Sequence, residues 1–517
     1  MNKIFITLAI AACFYISCKK NDDLGTPRLF RPVPAGGLTA DSNTIEASWQ
    51  KIGGAASYLV QLSRDTFRTI DLSLSIDSST AVVKKLLFNQ LYQVQVKAIA
   101  ADTVLNSKWS YLGAIKTLSS ILKVPGIDDV TYNSVRVRWA TKGAPVTSVK
   151  IIKTSDSSLV SEVTLTATDL MNEYKVIDGL DADTRYTIFL ISENEVRGSV
   201  DFTSKAPFSG AVIDLTGITA RPGVLADTLP SIPSGSTILL KRGETYNISS
   251  ATSLDKTLII MSAPDLLNTV QAKIYFTSNF NLAAGATIDS IEFNDVYMVS
   301  DSYGSRYVIN NSNSANVGKI KFMNSRIEIF RGMCRFQAGT TNINDFVINN
   351  CIIDSIANYF VLNVGTTASR INNISITSST FYKIEGLIAS AQSSNAVDIA
   401  ECTFNEAPLG NSKNYYVDFG SNVVSNGFFV RHCIFGIGKY SAGAFAVKDY
   451  RVGSGTVTTT GNNYRTFDHA SAGNDFAGIT IYNRTAAQLW QDPANGNFKI
   501  VDATYPGRNT TGDPRWR

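Results

Sequence analysis

The sequence is poor in charge and in metal-binding side chains. Charged residues make up 17% of its 517 positions, whereas soluble domains average about 25%. It has only two histidines, His432 and His469, and no CxxC or HExxH spacing, which argues against a zinc site. Its net charge is +4 without a cluster of lysines or arginines, which argues against nucleic acid as a partner. A chain of this length is expected to form two to four domains.

The N-terminus has the pattern of a secretion signal. Lys3 precedes an apolar run at residues 4–16. Thirteen apolar residues are too few for a membrane-spanning helix and are typical of a signal peptide. We therefore expect the chain to be exported from the cytoplasm.

The end of the apolar run resembles a bacterial lipobox. Cys18 follows a small residue and precedes the charged segment 19–23, although Tyr15 stands where leucine is usual. A rival site precedes Cys13 but would leave apolar residues at the mature end. The charged segment resembles the surface-export signal of Bacteroidetes lipoproteins, which implies an outer-membrane lipid anchor facing outward; the periplasmic face stays open. We predict a signal peptide at residues 1–17, lipidation at Cys18 and a tether at residues 18–27.

Residues 28–118 and 119–205 each show short alternating strands separated by Gly, Asn, Asp and Ser turns. Each segment has an early tryptophan and a late tyrosine strand: Trp49 and Tyr92 in the first, Trp139 and Tyr186 in the second. This spacing resembles the fibronectin type III fold, where the tryptophan fills the core and the tyrosine hydroxyl bonds the backbone. We predict two such β-sandwiches, acting as spacers.

After a connector at residues 206–233, a unit of the form Φ-x-Φ-x-polar-x-x-Φ recurs, where Φ is apolar. Its seven copies begin at Ile291, Ile320, Phe346, Ile374, Val397, Phe428 and Val457. The copies lie 23 to 31 residues apart while the internal spacing stays fixed. A β-solenoid explains both facts, because its coils keep their strands while loops absorb insertions.

The solenoid also shows a resemblance to a known family. Residues 234–246 resemble the first turn of pectate-lyase-like β-helices. We predict an all-β protein in which a right-handed parallel β-helix, at residues 234–470, follows the two sandwiches. Ile348, Ile376 and Ile399 should then occupy successive layers of one interior column.

The repeat also accounts for the cysteines. Cys351, Cys402 and Cys433 each follow the polar turn position, which predicts a ladder of small side chains at a tight bend. Cys402 and Cys433 fall in neighbouring coils, so a disulfide and two inert buried thiols are both open, with thiols favoured. His432 shares the turn position with Asn350, which indicates a structural role.

Residues 471–517 are expected to cap the solenoid, since an open end exposes unpaired strand edges. Their Gly-Asp-Pro-Arg-Trp ending resembles uncharacterised Bacteroidetes lipoproteins that join fibronectin-type modules to a pectate-lyase-like β-helix. That resemblance implies polysaccharide utilisation, often of pectin, and possible outer-membrane glycan-uptake partners. It supplies no catalytic residues. Within residues 234–470 the sequence contains none of the Asn-Thr-Asp, Asp-Asp, Gly-His-Gly and Arg-Ile-Lys motifs of polygalacturonases, nor the Trp-Ile-Asp-His run of pectate lyases.

The strand before each repeat predicts a candidate ligand surface. If its apolar residues point inward, one outward row contains Arg335, Asn363, Ser390, Asp418 and Lys448. Tyr359 and Tyr416 lie nearby, and polar groups beside aromatic rings suit a sugar. A solvated sheet face without a ligand explains the same pattern about equally well.

Three functions fit these features. The first is non-catalytic binding of an acidic or neutral polysaccharide at the cell surface. The second is a calcium-dependent polysaccharide lyase, with Lys448 or Arg335 as base and Asp418 as calcium ligand. The third is an adhesin or structural stalk that binds protein through its sandwiches. We favour the first, because anchor, spacers and a long outer face occur without catalytic motifs.

Overall fold

The computed structural model describes residues 28–141, 145–193, 195–409, 415–438, 447–469 and 473–517. The predicted signal peptide and Cys18 lie outside these residues. The chain divides into two units, Met1–Ala206 and Pro207–Arg517. Among the described residues, no helix has the length and apolar character needed to cross a membrane.

The first unit contains two antiparallel β-sandwiches. In the first sandwich, a three-stranded sheet and a four-stranded sheet enclose the core. The strands of the three-stranded sheet are, in order, Thr39–Asp41, Thr44–Ser48 and Thr80–Val83. Those of the four-stranded sheet are Leu72–Ile76, Ser57–Ser63, Leu91–Ile99 and Ser110–Lys116. A short 3-10 helix covers Thr103–Leu105.

The second sandwich pairs a two-stranded sheet with a four-stranded one. Its strands are Tyr174–Asp178 and Ser134–Arg138, then Leu159–Thr164, Ser148–Lys153, Arg185–Ser192 and Glu195–Thr203. It also contains an α-helix at Ala167–Asn172 and a 3-10 helix at Ile127–Asp129.

The predicted aromatic cores are confirmed. The tryptophan and tyrosine that the sequence pattern predicts in the core of each sandwich are all buried: Trp49, Tyr92, Trp139 and Tyr186. The Tyr92 hydroxyl accepts a hydrogen bond from the backbone N–H of Leu87 at 3.1 Å. The Tyr186 hydroxyl accepts one from Asp181 at 2.8 Å. Both are the corner bonds that the fibronectin type III pattern requires.

The second unit is a parallel β-solenoid of about nine turns, built from three sheets that we name A, B and C. Sheet A has ten strands: Val212–Asp214, Ser236–Leu240, Leu258–Ser262, Ala286–Asn294, Ala315–Met323, Thr341–Asn349, Arg370–Thr377, Ala396–Ala400, Phe428–Arg431 and Thr458–Gly461. Sheet B has ten: Thr245–Ile248, Ala272–Phe276, Val296–Ser300, Arg326–Phe330, Ile352–Ile356, Thr380–Ile384, Thr403–Asn405, Ile434–Phe435, Tyr464–Thr466 and Thr480–Tyr482. Sheet C has eight: Thr252–Leu254, Phe280–Leu282, Tyr307–Asn311, Gly332–Phe336, Leu362–Val364, Ile388–Ser390, Tyr415–Asp418 and Lys448–Arg451.

The predicted interior column is confirmed. Ile348 pairs with Ile376 and Ile376 with Ile399, and all three are buried. The seventh predicted copy is displaced by one residue, since Phe428 pairs with Thr458 rather than with Val457. In this last coil the aligned positions carry threonines, so the apolar pattern led to the wrong register.

A left-handed residue forms the sharp turns from sheet A to sheet B in the later coils. The φ angle is 54° at Asn324, 54° at Asn350 and 57° at His432, and asparagine tolerates this conformation better than most residues. The Asn350 amide donates to Oδ1 of Asn324 at 2.8 Å. Nδ1 of His432 lies 3.0 Å from Nδ2 of Asn462, which confirms a turn role for His432.

The cysteine ladder consists of buried thiols. Cys351, Cys402 and Cys433 are free, so the inert-thiol interpretation is confirmed over a disulfide. Burial raises the pKa of Cys351 to about 12 and holds the pKa of Cys402 well above its ordinary value. The thiols of Cys351 and Cys402 therefore stay protonated and unreactive.

Both ends of the solenoid differ from the expected layout. In the segment expected to be a connector, Val212–Asp214 pairs in parallel with Ser236–Leu240. The following α-helix, Val224–Thr228, buries Leu225 in the solenoid core and precedes a 3-10 helix at Leu229–Ser231. This segment therefore belongs to the solenoid, because its apolar side chains cover the first coil.

The C-terminal residues run along the flank of the stack. Gly512 donates its N–H to the carbonyl of His432 at 2.8 Å, and Asp513 donates to Oγ1 of Thr403 at 2.9 Å. Trp516 Nε1 donates to Oγ1 of Thr380 at 2.7 Å. These acceptors lie on successive coils, so the expected end cap is a lateral clamp. The elements of this tail are an α-helix at Ala486–Leu489, paired strands at Trp490–Asp492 and Asn497–Ile500, and 3-10 helices at Pro493–Asn495 and Pro514–Trp516.

Candidate functional site

The outer face of sheet C carries a polar row whose members align from coil to coil. Strand register places seven residues in this sheet C row: Asn281, Asn310, Arg335, Asn363, Ala389, Asp418 and Arg451. Three of the predicted row residues, Arg335, Asn363 and Asp418, therefore lie together. Adjacent members of the row are separated by the strand spacing of about 4.8 Å.

Three predicted ligand residues lie elsewhere. Ser390 pairs with Val364, is 8% exposed and donates its hydroxyl to the carbonyl of Gln392 at 2.7 Å. Lys448 pairs with Tyr415, so Arg451 takes its place in the row. Tyr416 is 1% exposed and packs inside the solenoid, which removes it from any surface site.

The cause of these errors is the bend at which the chain enters sheet C. Val361 and Leu362 are consecutive and both fully buried, as are Tyr416 and Val417 in a later coil. Two inward residues in succession break the alternation expected of a strand. A pattern counted from the wrong residue therefore exchanges inward and outward positions.

Two arginines and two tyrosines surround the middle of the row; we call Tyr307, Arg331, Arg335 and Tyr359 the arginine–tyrosine cluster. The Arg335 guanidinium lies 4.0 Å from the ring centre of Tyr359 and 5.7 Å from that of Tyr307. The Arg331 guanidinium lies 4.5 Å from the Tyr359 ring. Tyr359 thus contacts both guanidinium groups, at distances that favour cation–π attraction.

Glycine makes this cluster possible. Gly332 lies between the two arginines in the chain, and a Cβ there would stand 2.8 Å from Cβ of Tyr359 and 3.1 Å from Cε1 of Tyr307. Such contacts are too short for a side chain. Arg335 and Tyr359 were predicted from the sequence, whereas Arg331 and Tyr307 were not, although a Gly between two arginines was an available signal.

The two arginines of the cluster lack carboxylate partners. Within the described residues, neither Arg331 nor Arg335 forms an ion pair, whereas nearby Arg306 binds Asp301 at 2.6 Å. The Arg335 Nη1 reaches only the Tyr307 hydroxyl, at 3.4 Å, and its buried Nε has no hydrogen-bond acceptor there. Burial raises the pKa of Tyr307, although both guanidinium charges oppose the shift.

Amide oxygens beside the cluster are also unsatisfied. Oδ1 of Asn281 and Oδ1 of Asn310 are buried and find no donor in the described part of the chain. These acceptors and the Arg335 donor lie in three successive positions of one row. Buried polar groups normally have partners, so these three atoms set this part of the row apart from the end that contains Asp418.

At the far end of the row, the charges of Asp418 and Arg451 neutralise each other. Both oxygens of Asp418 accept from Arg451, from Nε and Nη2, each at 2.7 Å. This pairing raises the pKa of Arg451. The described residues contain no group of three or more His, Cys, Asp or Glu side chains placed to hold a metal ion. Asp418 is therefore already neutralised where the lyase hypothesis needs a calcium ligand.

Sheet B carries a second outward cluster that the sequence did not reveal. Glu328 and Asp354 pair in register, and Nη2 of Arg326 lies 2.6 Å from Glu328 and 4.0 Å from Asp354. The Tyr297 hydroxyl donates to Glu328, and that of Tyr382 to Asp354. Burial and these carboxylates raise the pKa of both tyrosines. The charges and hydrogen-bond donors of this sheet B cluster satisfy one another, unlike those of the arginine–tyrosine cluster on sheet C.

Comparison with known families matches two parts of the solenoid. Residues 244–384 match a family described as a domain of unknown function, DUF4957, and residues 397–516 match another, DUF5123. The chain joins fibronectin-type-III-like sandwiches to a β-solenoid that contains both domains. No curated protein matches it.

Two solved structures are similar to the first unit. The chicken CNTN1 FN1–FN3 domains are 16% identical, cover 35% of this chain and 69% of their own, and give a TM-score of 0.18. The two-domain fibronectin type III segment of chicken tenascin is 16% identical, covers 34% of this chain and 99% of its own, and gives 0.16. At these scores the fold assignment depends on the sheets and corner bonds described above.

Proposed function

We propose that this protein binds polysaccharide through the outer face of sheet C, without cleaving it. The observation that carries the proposal is the arginine–tyrosine cluster, whose two arginines lie against the Tyr359 ring and form no ion pair within the described residues. Sugar hydroxyls supply donors and acceptors, and the C–H face of a pyranose ring packs against an aromatic ring. The two arginines without carboxylate partners favour a glycan that carries carboxylates, as pectin does.

The row also suits a polymer. Because the coils repeat, polar groups recur along the stack at about 4.8 Å, so several sugars of one chain can be bound at once. Many weak contacts then add to a useful affinity. A small ligand would engage only the cluster.

The lyase alternative has less support than binding. Its calcium ligand, Asp418, is engaged by Arg451 through both oxygens. Its second candidate base, Lys448, pairs with Tyr415 and lies outside the row. Arg335 could approach an α-proton, but the described residues contain no group of three or more acidic, histidine or cysteine side chains to hold calcium.

The sequence features of the N-terminus complete the proposal. Lipidation at Cys18 would anchor the protein to the outer membrane, with the solenoid presented at the cell surface. The two sandwiches would act as spacers between anchor and solenoid. Outer-membrane glycan-uptake proteins are the partners that this location favours.

Binding and cleavage can be tested together. Isothermal titration with polygalacturonate, methyl-esterified pectin and a neutral galactan measures affinity, while ultraviolet absorbance records unsaturated products. We expect binding without product, and at least tenfold weaker binding by Arg335→Ala. Arg370→Ala, at an exposed position that begins a sheet A strand, is the matched control and should bind like the parent. If no polysaccharide binds, or if both variants behave alike, the proposal fails.

A further inference from the structure

The solenoid interior holds a polar cluster near its C-terminal end. Tyr416 and Asp449 occupy matching positions of neighbouring sheet C strands. His469 follows the strand Tyr464–Thr466 of sheet B, and its ring lies parallel to that of Tyr416 with 6.3 Å between centres. The side chains of His469 and Asp449 are 0% and 1% exposed. These groups are unrelated to the sheet C row, which faces outward.

Backbone contacts orient the two ionisable side chains. Nδ1 of His469 lies 2.8 Å from the carbonyl oxygen of Gly436. A carbonyl only accepts, so Nδ1 carries the proton and a neutral ring turns the lone pair of Nε2 the other way. Oδ2 of Asp449 accepts the N–H of Phe476 at 2.7 Å. The remaining atoms, Nε2 and Oδ1, face each other at 3.8 Å.

Three atoms at the centre of this arrangement are unsatisfied. Within the described residues Nε2 of His469, Oδ1 of Asp449 and the Tyr416 hydroxyl have no hydrogen-bond partner. Burying polar atoms without partners is costly. At 3.8 Å the two atoms are too far apart for a good hydrogen bond. A metal ion forms bonds of about 2.0–2.1 Å to nitrogen and about 2.0–2.2 Å to carboxylate oxygen, and so spans that separation.

We propose that a transition-metal cation of the zinc or iron class binds between Nε2 of His469 and Oδ1 of Asp449, with the Tyr416 hydroxyl as an additional oxygen ligand. Imidazole and carboxylate suit such ions. Metal ligands are usually oriented by a further hydrogen bond to the protein. Here the Nδ1–H of His469 donates to a carbonyl, and Asp449 accepts a backbone N–H. The ion would link sheets B and C across the last coils. The sequence pattern gave no sign of it, because the ligands lie in different coils and one is a tyrosine.

The test measures metal content and melting temperature of the full-length protein. After incubation with zinc chloride, iron(III) citrate or manganese chloride and gel filtration, we expect about one equivalent of one metal by mass spectrometry. Chelator should lower the melting temperature of the parent. Tyr416→Phe removes only an unpartnered oxygen and should fold, yet weaken metal binding at least tenfold; His469→Gln should abolish it.

His432→Gln is the matched control, because this exposed turn residue is the only other histidine in the sequence. It should retain metal and respond to chelator like the parent. The proposal is overturned if the parent takes up less than a tenth of an equivalent of every metal tested. Metal uptake that is equal in the parent, Tyr416→Phe and His469→Gln would overturn it too.

Discussion

The outer faces of sheets A and C carry the same kinds of residue, but the side chains form different hydrogen-bond patterns on the two faces. On sheet A, outward side chains bond from coil to coil: Asn342 donates to Asn316 at 3.2 Å, and Lys321 lies 3.1 Å from Glu292. Among the described residues, Asn281, Asn310 and Arg335 on sheet C each keep a buried atom without a partner, whereas Asp398 is the residue of sheet A that does so. A polar sheet face is therefore no evidence of a site by itself. The two faces differ in how completely their polar groups satisfy one another.

Removing both arginines of the cluster should have the largest effect. A hydrogen bond to a charged group contributes about 1.5–3 kcal/mol, so Arg331→Ala combined with Arg335→Ala should weaken polygalacturonate binding by at least about 100-fold. Titration calorimetry measures this. A loss of affinity of less than threefold would show that sheet C, like sheet A, does not bind the glycan.

Tyr359→Ala should have the next largest effect. It removes the ring that lies between both guanidinium groups, at 4.0 and 4.5 Å, and cation–π contacts contribute about 0.5–2 kcal/mol each. We expect about tenfold weaker binding in the same assay. Tyr359→Phe keeps the ring and should change affinity less than twofold; equal losses in both variants would contradict a ring-based role.

Lys321→Ala tests the sheet A side of the comparison. Its ion pair with Glu292 is partly exposed, and such pairs contribute at most about 1 kcal/mol. Polysaccharide affinity should not change, while the free energy of unfolding in urea should fall by up to that amount. A loss of binding would place the ligand on sheet A.

Salt should produce a smaller effect on affinity than the arginine and tyrosine substitutions. Raising sodium chloride from about 50 to about 300 mM screens partly exposed charges, so parent affinity for polygalacturonate should fall a few-fold. The double arginine variant should show little dependence on salt. Equal salt dependence in both proteins would indicate that other charges attract the glycan.

The fold was largely accessible from the sequence, because it follows from local periodicity. The two tryptophan–tyrosine pairs identified the sandwiches, and the spacing of Ile348, Ile376 and Ile399 identified the solenoid. The register failed only where threonines replace apolar residues, at Thr458. Periodicity also could not show that the Gly512–Trp516 segment binds the flank, since those contacts join residues distant in the chain, as Asp513 and Thr403 are.

The site was less accessible for a physical reason. Alternation predicts which residues point outward only if the strand is regular, and the bend before Leu362 places two inward residues in succession. Ser390, Lys448 and Tyr416 were misplaced on that account. Ion pairing also cannot be read from the sequence. Nothing in it shows that Asp418 is neutralised by Arg451, or that Arg335 forms no ion pair with a carboxylate of the described residues.

Arginine footprinting tests the central claim most directly. Phenylglyoxal labelling of the full-length protein, with and without polygalacturonate, can be quantified by peptide mass spectrometry. The glycan should protect Arg331 and Arg335 and leave Arg370 on sheet A equally labelled in both samples. Protection of Arg370, or of arginines in the sandwiches, with none at Arg331 and Arg335 would contradict binding on sheet C.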